Sequence, residues 1–394
     1  MAIQKITTDI IEDNAVTGSK ISVGTPAAGD ILYYNGTDYV KLAKGTDGEV
    51  LKLESGLPVW GASSGGSPSS GGGGPSDAFI ISGNRGATSS NQIFNYAFTS
   101  STESVWGTCE DDGGGGATSG CSNSSTTDGF YTTGTIPNPV TPSSPTFRTT
   151  IEKYSYSSQG NAVDIGNINQ HKTAAGGVNS STEGYVLGGT GFNITGQSSN
   201  GQKFAFSNGS SSTSVMSLEI PKSNMGTHQD STHGYVFGGT AGGGNNPVVL
   251  AVSSCCRFTF ANDTTREDIG ALNEVSGAHV TVGNATTAYI VGGSNTTNPP
   301  NDGGHQHIYY DRIDSYALAS SSTAADHGDL HTTQRAAYGA STNTTGLIVG
   351  GTNNSGPTAS KQEFSYASNT TATQLTALTS TASGGGYGQV PPTF

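Results

Sequence analysis

Two histidines and two tyrosines lie close together in the stretch 303–310, which reads Gly-Gly-His-Gln-His-Ile-Tyr-Tyr. Residues two apart on a strand share one face, so His305 and His307 could present two imidazole nitrogens to one metal ion. A stable protein site needs further ligands, and the neighbouring sequence offers none. We therefore interpret both histidines as ordinary loop residues and expect neither a bound metal nor a cofactor.

Acidic side chains give a second candidate. Glu110, Asp111 and Asp112 precede a run of glycines, but they lack the alternating ligand spacing of a calcium loop. The chain also lacks a nucleophile elbow, a metalloprotease motif and a glycine-rich loop followed by Lys-Ser/Thr. The sequence names no catalytic residue, and we expect a protein that is not an enzyme.

The four cysteines are too few to stabilise a domain of this length through disulfides, and they lack the paired spacing of a zinc site. Two pairings stay open: Cys109 with Cys121 across a glycine-rich loop, and Cys255 with Cys256. We favour Cys256 as a small apolar residue packed in the strand that leads to Phe258.

Composition restricts the partners of this 394-residue chain. Its formal net charge is -13, and its 16 basic residues are scattered singly, so no basic patch could neutralise nucleic acid or an anionic lipid surface. No apolar run approaches the roughly 18 to 20 residues of a spanning helix, and no secretory signal is visible. We expect neither nucleic-acid binding nor membrane insertion.

A short apolar strand ending in Gly-Gly recurs along the chain. Strong copies occupy 184–190, 234–240, 288–294 and 346–352, and weaker copies occupy 78–84 and 129–135. The marker position falls at 83, 134, 189, 239, 293 and 351, so the spacing is 50 to 58 residues. Glycines at the end of a packed strand permit positive φ and close backbone approach. Six copies at a nearly constant period predict a repeat fold.

A second marker follows each copy, an aromatic residue and then, two positions later, an aromatic residue or leucine. This alternation places both side chains on one face of a strand. The pairs are Tyr96/Phe98, Tyr154/Tyr156, Phe204/Phe206, Phe258/Phe260, Tyr316/Leu318 and Phe364/Tyr366.

Two further strands complete each repeat. A fourth strand follows the aromatic pair, as at 163–166 and 268–272, and a glycine-bearing stretch precedes Gly-Gly, as at 174–178 and 335–339. Four-stranded sheets with this period indicate a β-propeller. The Gly-Gly and aromatic elements resemble the Kelch family, although the regular tryptophan of that family is missing. The resemblance implies an all-β, six-bladed propeller over 77–394.

The two ends of the repeat region are complementary. The last repeat is followed by an additional inner-strand candidate at 381–388, whereas the first begins at 77–79 without an inner strand. The C-terminal strand is therefore expected to pair with the strand at 78–83 and close the ring, which removes an exposed edge.

Residues 1–60 differ in character from the repeats. Two strands surround an Asn-Gly turn at 29–40, and a Gly-Thr-Asp-Gly element follows at 45–48. Together with Ile-Thr-Thr-Asp-Ile at 6–10 and the stretch 15–21, these elements resemble the N-terminal region of bacteriophage tail-fibre and virion-appendage proteins. The resemblance implies attachment to other virion proteins and a homotrimer. Its expected buried contacts are Ile6, Ile10, Ile11, Val16 and Ile21. Residues 61–76 are predicted to be a Gly/Ser-rich linker.

Loop length indicates where a ligand would bind. The distance from the second glycine to the first aromatic residue varies from 13 to 23 residues, whereas the turn after the aromatic pair stays short. Variable loops on a rigid scaffold are the usual place for recognition. The candidate binding residues on this face are Phe147, Phe192, Tyr309 and Tyr310.

Three functions stay open from the sequence. We favour a structural phage fibre in the virion, made in the host cytoplasm, whose propeller meets a host-surface carbohydrate. The second is a decoration fibre whose propeller packs on other virion proteins. The third is a glycan-modifying propeller enzyme.

Overall fold

The structure is a computed structural model. Its described residues form β-strands and no α-helix. It divides into two compact units, Met1–Ser64 and Gly65–Phe394. It describes residues 25, 27–45, 49–54, 56–62, 77–85, 88–97, 102–109, 121–132, 135–136, 146–147, 149–191, 197–212, 215–242, 250–297, 306–320, 323–378, 382–383 and 388–389.

The first unit contains two antiparallel hairpins in its described part. They are β1 (Ile31–Tyr34) with β2 (Tyr39–Leu42), and β3 (Glu49–Glu54) with β4 (Leu57–Ala62). Between β1 and β2 the Asn35 side chain accepts the amide hydrogens of Thr37 and Asp38, both at 2.9 Å, and Gly36 takes a φ of 98°. The predicted pair of strands around the Asn-Gly turn is confirmed. β4 ends at Ala62, two residues inside the segment predicted to be a linker.

The second unit contains the remaining strands. In chain order the first of them are β5 (Asp77–Arg85), β6 (Thr88–Ala97), β7 (Thr102–Thr108), β8 (Cys121–Ser124), β9 (Asp128–Thr132), β10 (Thr135–Ile136), β11 (Thr146–Phe147), β12 (Thr150–Ser155), β13 (Val163–Asn167), β14 (Gly176–Asn179), β15 (Glu183–Leu187), β16 (Gly201–Ala205), β17 (Ser211–Ser212), β18 (Lys222–Ser223), β19 (Gly226–Gln229) and β20 (His233–Phe237). They continue with β21 (Thr240–Ala241), β22 (Leu250–Ala251), β23 (Ser254–Thr259), β24 (Asn262–Ala271), β25 (Val280–Gly283), β26 (Thr287–Val291), β27 (Ser294–Thr297), β28 (Gln306–Tyr309), β29 (Arg312–Ala317), β30 (Ala325–Asp329), β31 (Tyr338–Ser341), β32 (Thr345–Val349), β33 (Thr352–Asn353), β34 (Gly356–Pro357), β35 (Lys361–Ser365), β36 (Thr373–Gln374), β37 (Ala382–Ser383) and β38 (Gly388–Gln389).

Most of these strands form antiparallel meanders. We number the sheets by chain order: sheet 1 (β5–β7 with β37 and β38), sheet 2 (β8, β9, β12, β13), sheet 3 (β14–β17), sheet 4 (β19, β20, β23, β24), sheet 5 (β25, β26, β29, β30) and sheet 6 (β31, β32, β35, β36). The first strands of sheets 2 to 6 and β38 contact one another in cyclic order, because β38 contacts both β31 and β8. The predicted four strands per repeat are confirmed in sheets 2 to 6.

The hydrophobic core consists of clusters that lie between neighbouring sheets. Tyr185 and Leu187 of sheet 3 pack with Val236 and Phe258 of sheet 4, and the other clusters join sheets 1 and 2, 2 and 3, 4 and 5, 5 and 6, and 6 and 1. Each second strand is therefore covered on both faces. This explains why its sequence is a continuous apolar run rather than an alternation.

The glycines of the repeat have the structural role that the sequence predicts. Gly188 and Gly189 adopt φ of 61° and 87°, and a Cβ on Gly188 would lie 2.6 Å from the Lys222 carbonyl oxygen of β18. The glycine that precedes the apolar run has a different role. Gly184 lies beneath the ring of Phe204, the first aromatic residue of its pair, and a Cβ there would come within 2.6 Å of that ring.

A chain of backbone hydrogen bonds links equivalent positions in consecutive sheets. Asn224 donates to Ala174, Ala278 to Asn224, and Ala336 to Ala278, with N···O distances of 2.9, 2.9 and 2.7 Å. All four residues take φ near 50°, which is unusual outside glycine. This kink explains why the inner strands begin at Gly176 and Tyr338, later than the predicted stretches.

Buried glutamines attach the connections between sheets. The Gln202 side chain accepts the Gln170 amide and donates to the Gln170 carbonyl, both at 2.8 Å. Gln362 accepts the amides of His331 and Thr332 at 2.6 and 3.1 Å. Both glutamine side chains are fully buried, so these bonds satisfy polar groups that would otherwise be costly.

The buried cysteines of sheet 4 carry no disulfide. Cys255 and Cys256 are both thiols, and burial raises the pKa of each to about 12. Cys256 packs in the cluster that contains Phe258, as the sequence predicts. Cys109 is buried in the cluster between sheets 1 and 2. The side chain of Cys121 lies outside the described part, so the pairing of Cys109 and Cys121 stays open.

Two buried histidines are held neutral: His228 on β19, and His279 directly before β25. The Nε2 atom of His228 donates to the Asn284 carbonyl at 3.0 Å, and Nε2 of His279 accepts the Gly226 amide hydrogen at 3.0 Å. Burial lowers the pKa of both imidazoles to about 4, and the charge of Arg312 contributes for His279.

We expect these histidines to weaken the fold in mild acid. The unfolded chain protonates each imidazole below its ordinary pKa of 6.5, whereas the folded protein resists protonation down to about pH 4. The unfolded state thus binds more protons in this window, and the free energy of unfolding falls as pH drops through it, by about 3 kcal/mol per histidine. Denaturant unfolding of His279→Gln should show a shallower pH dependence, whereas exposed His331→Gln should match the wild type.

Candidate functional site

The variable connections of sheets 3 to 6 begin at one end of the second unit. In each of sheets 3 to 6 the connection between the second and third strands leaves from the Gly-Gly end. The hydrogen bonds from Ala174 to Ala336 place these ends side by side. We call this end the loop face, defined by the described residues 188–191, 197–200, 238–242, 250–253, 292–297, 306–311 and 350–360. The connections carry short strands of their own, such as β27 with β28 and β33 with β34.

The predicted binding residues are only partly placed. Tyr309 ends β28 opposite Ser294, and Tyr310 follows it, so both lie on the loop face. Phe147 lies in β11 opposite Thr135, in the corresponding connection of sheet 2. Phe192 lies outside the described residues. The structure therefore brings Tyr309 and Tyr310 together and says nothing of the Phe147 and Phe192 side chains.

The candidate metal and calcium residues are likewise only partly described. His307 lies on β28 opposite Thr296, while His305 and the acidic stretch 110–112 are outside the described residues. In the part of the chain that the structure describes, no group of three or more His, Cys, Asp or Glu residues could hold a metal ion.

Tyr310 belongs to an ion-paired cluster. The Arg312 guanidinium lies over its ring, 4.2 Å from the centroid, and also contacts Glu274 at 2.7 Å and Asp314 at 3.2 Å. Burial raises the pKa of the Asp314 carboxyl, which Arg312 opposes. Arg312 therefore has two carboxylate partners within the protein.

Tyr309 has a different cationic neighbour. The Arg335 guanidinium lies 5.0 Å from the centroid of its ring. Arg335 directly precedes Ala336 in the hydrogen-bonded chain, and its backbone pairs with Thr352. The Tyr309 ring and the Arg335 side chain are both half-buried at the boundary of sheets 5 and 6.

Hydroxyl and amide groups continue around the axis from this point. Each Gly-Gly is followed by a hydroxyl residue whose backbone pairs with the segment before an inner strand: Thr190, Thr240, Ser294 and Thr352. Gln197 Nε2 donates to Ser223 Oγ at 2.9 Å, and Ser223 Oγ lies 3.2 Å from Thr240 Oγ1. We call these hydroxyl residues, together with Gln197, Ser223 and Arg335, the axial rim. Ser223 and Ser294 are buried, whereas the other members of the rim are partly exposed and are suited to hydrogen bonding with a polyhydroxyl ligand.

The sequence interpretation missed the axial rim, although a signal was present. Every strong Gly-Gly copy ends in threonine or serine, but the sequence interpretation assigned a role only to the glycines and none to this hydroxyl residue. Arg335 carried no such signal, because it meets Tyr309 only through contact between two sheets.

The predicted oligomerisation residues Ile6, Ile10, Ile11, Val16 and Ile21 all lie outside the described residues. The described hairpins of the first unit nevertheless expose several large apolar side chains. These are Leu32, Tyr34, Tyr39, Leu51, Leu53 and Leu57.

Comparison with known proteins supports the fold. No protein-family model matches this sequence, and no curated protein sequence matches it. Solved structures do match, among them one titled "Structure of YjhT", with 11% sequence identity and a TM-score of 0.60. The match covers 76% of this chain and 98% of the other. At this identity the likeness concerns the fold alone, which is all-β and propeller-like. No helix suited to crossing a bilayer occurs among the described residues.

Proposed function

We propose that this chain is a structural fibre protein of a bacteriophage virion, which binds a host-surface carbohydrate through the loop face without modifying it. The first sixty residues attach the chain to other virion proteins and join three copies. The phage assignment rests on the resemblance of residues 1–60 to tail-fibre proteins. Binding at the loop face rests on the axial rim.

The proposal includes a six-bladed Kelch-like propeller over 77–394. Its support is the cyclic order of contacts among the inner strands and the cluster shared by sheets 6 and 1. Lys361 of sheet 6 also lies over the ring of Tyr96 in sheet 1, 4.8 Å from its centroid. A ring of blades gathers the variable connections around one axis, which suits recognition.

The observation that carries the binding proposal is the chemistry of the axial rim. Hydroxyl and amide groups lie at the same end of the second unit as a half-buried tyrosine and a guanidinium, the end where connection length varies. Aromatic faces and directed hydrogen bonds are a combination that fixes small polar ligands in protein sites.

Purified full-length chain should bind some members of a panel of bacterial surface polysaccharides. The double variant Tyr309→Ala/Tyr310→Ala should lose at least about tenfold in affinity, since two aromatic groups disappear. Val163→Ala, on the outermost strand of sheet 2, should bind normally. Equal binding by the tyrosine variant would remove the loop face from the proposal. Chromatography of the polysaccharide after incubation should show it unchanged, and cleavage would instead make the protein an enzyme.

The trimer proposal also has physical support in the first unit. Each described hairpin is a two-stranded sheet, which is marginally stable alone in water. Leu51 and Leu53 lie two apart on β3 and share a face, with exposed fractions of 48% and 74%. Apolar surface of this kind is expected to be covered in the assembled protein.

Light scattering of the full chain should therefore give the mass of three copies at micromolar concentration. Ile10→Asp/Ile11→Asp should shift it to a monomer, because charges replace the expected interchain contacts. Leu51→Ser should weaken association as well. Leu250→Ser offers a matched control, since Leu250 has the same 48% exposure but belongs to the second unit. A monomeric wild-type chain would contradict the trimer.

A further inference from the structure

Arg335 differs from the other arginines whose side chains the structure describes. Those three are each paired with a carboxylate: Arg257 with Glu267, Arg266 with Asp268, and Arg312 with Glu274. Arg335 forms no ion pair with any described residue, and its Nε atom, enclosed by protein, has no hydrogen-bond partner there. The chain carries 29 acidic residues against 16 basic ones, so carboxylates outnumber cations in its sequence.

The position of Arg335 is fixed by the fold. Its backbone pairs with Thr352 through N···O distances of 3.0 and 2.8 Å, and the next residue, Ala336, donates to Ala278 of sheet 5. Tyr309 supports the guanidinium from the β27–β28 hairpin. Such stacking limits the orientations of the planar guanidinium, and its two terminal nitrogens, rather than the enclosed Nε, are the donors for a planar anion.

The surroundings favour a sugar as the carrier of that anion. Thr352 lies beside Arg335 in the backbone ladder, and Ser294 lies beside Tyr309 in β27. Arg335 and Tyr309 therefore each have a hydroxyl residue directly opposite them in the backbone pairing, and Thr352 is the one that is partly exposed. Arginine binds carboxylates and phosphates through two parallel hydrogen bonds, and hydroxyl residues bind the sugar hydroxyls around them.

We infer that the loop face recognises an acidic saccharide, and that Arg335 binds its carboxylate or phosphate group. The inference rests on the proposed function and names the chemical class of its ligand. Arg335 is a binding residue here, and Tyr309 positions it.

The test compares bacterial surface polysaccharides immobilised in three forms: untreated, with carboxyl groups reduced to alcohols, and with phosphates removed by hydrogen fluoride. Binding of full-length wild-type chain should fall about 10- to 100-fold on the treatment that removes the anion, the range expected for charged hydrogen bonds. Carboxyl reduction and dephosphorylation thus distinguish the two sources of negative charge.

Variants of Arg335 test whether this residue is responsible for the loss of binding affinity. Arg335→Gln should lose about as much affinity as removal of the anion, with no further loss on the treated polysaccharide. Arg335→Lys should keep part of the affinity, because lysine retains the positive charge but lacks the planar guanidinium that forms two parallel hydrogen bonds. Arg257→Gln removes the same charge away from the loop face and should bind normally. Unchanged unfolding temperatures would show that the variants are folded.

The outcomes separate the two proposals. Wild-type binding that survives both treatments, or Arg335→Gln binding as tightly as wild type, would overturn the inference and leave carbohydrate recognition standing. Failure to bind any polysaccharide would count against the proposed function itself, and the inference would fail with it.

Discussion

Deletion of residues 380–394 should lower the unfolding temperature of the chain by on the order of 10 °C or cause it to aggregate. These residues include β37 and β38, which both pair with β5: Ala382 with Arg85 and Gly388 with Ile80. Their loss would leave an edge of β5 unpaired, next to the buried Phe79 side chain. An unpaired strand edge also recruits other chains, so light scattering should rise with heating.

Circular dichroism during heating measures this effect. A matched control replaces residues 65–74 of the predicted linker by a Gly/Ser sequence of the same length, which should leave the transition unchanged. An unchanged transition after the C-terminal deletion would mean that β37 and β38 contribute little and would count against closure of the ring.

Gly346→Val should destabilise the second unit by about 3 kcal/mol, the upper part of the range for overpacking a core. A Cβ on Gly346 would lie 2.6 Å from Cε1 of Phe364 and 2.8 Å from Cγ2 of Val282. Both neighbours are nearly fully buried, so neither can move aside without displacing the cluster between sheets 5 and 6. Denaturant unfolding monitored by fluorescence gives the change in free energy.

Two further variants make this result specific. Gly160→Ala adds a Cβ where nothing lies within 4 Å, and it should leave the free energy of unfolding nearly unchanged. Combining Gly346→Val with Phe364→Leu should recover part of the loss, because the smaller side chain gives room. Additive losses in the double variant would show that the two residues do not contact each other.

Much of the strand order was predictable from the sequence, because each repeat carries its own local signals. The apolar run before Gly-Gly marks the strand that is covered on both faces. The aromatic pair marks the third strand, whose first ring rests on a glycine, as Phe204 does on Gly184. These signals depend on residues near one another in the chain.

The first repeat shows where local signals were insufficient. Its second and third strands, β5 and β6, are nine and ten residues long and pair closely from Asp77 with Ala97 to Arg85 with Thr88. Only two residues separate these strands, because most of the residues between the marker glycine and Tyr96 belong to the strands themselves. In the described part of the C-terminal stretch, β37 and β38 each pair with β5.

The candidate site was less predictable than the fold, for a physical reason. Tyr309 was named from its residue type, but Arg335 reaches it across the boundary between two sheets, 26 positions later in the chain. The glutamines that attach the connections between sheets act over a similar range, as Gln362 does on His331. Such contacts depend on the relative position of whole sheets, which no short pattern encodes.

Electron microscopy of intact virions tests the central claim most directly. A tag fused after Phe394 and labelled with gold would show where the second unit lies on the particle. Our account predicts three labels per fibre at its distal end, with the loop face accessible to an added polysaccharide. Labels enclosed between other virion proteins would contradict host recognition and indicate a decoration role instead.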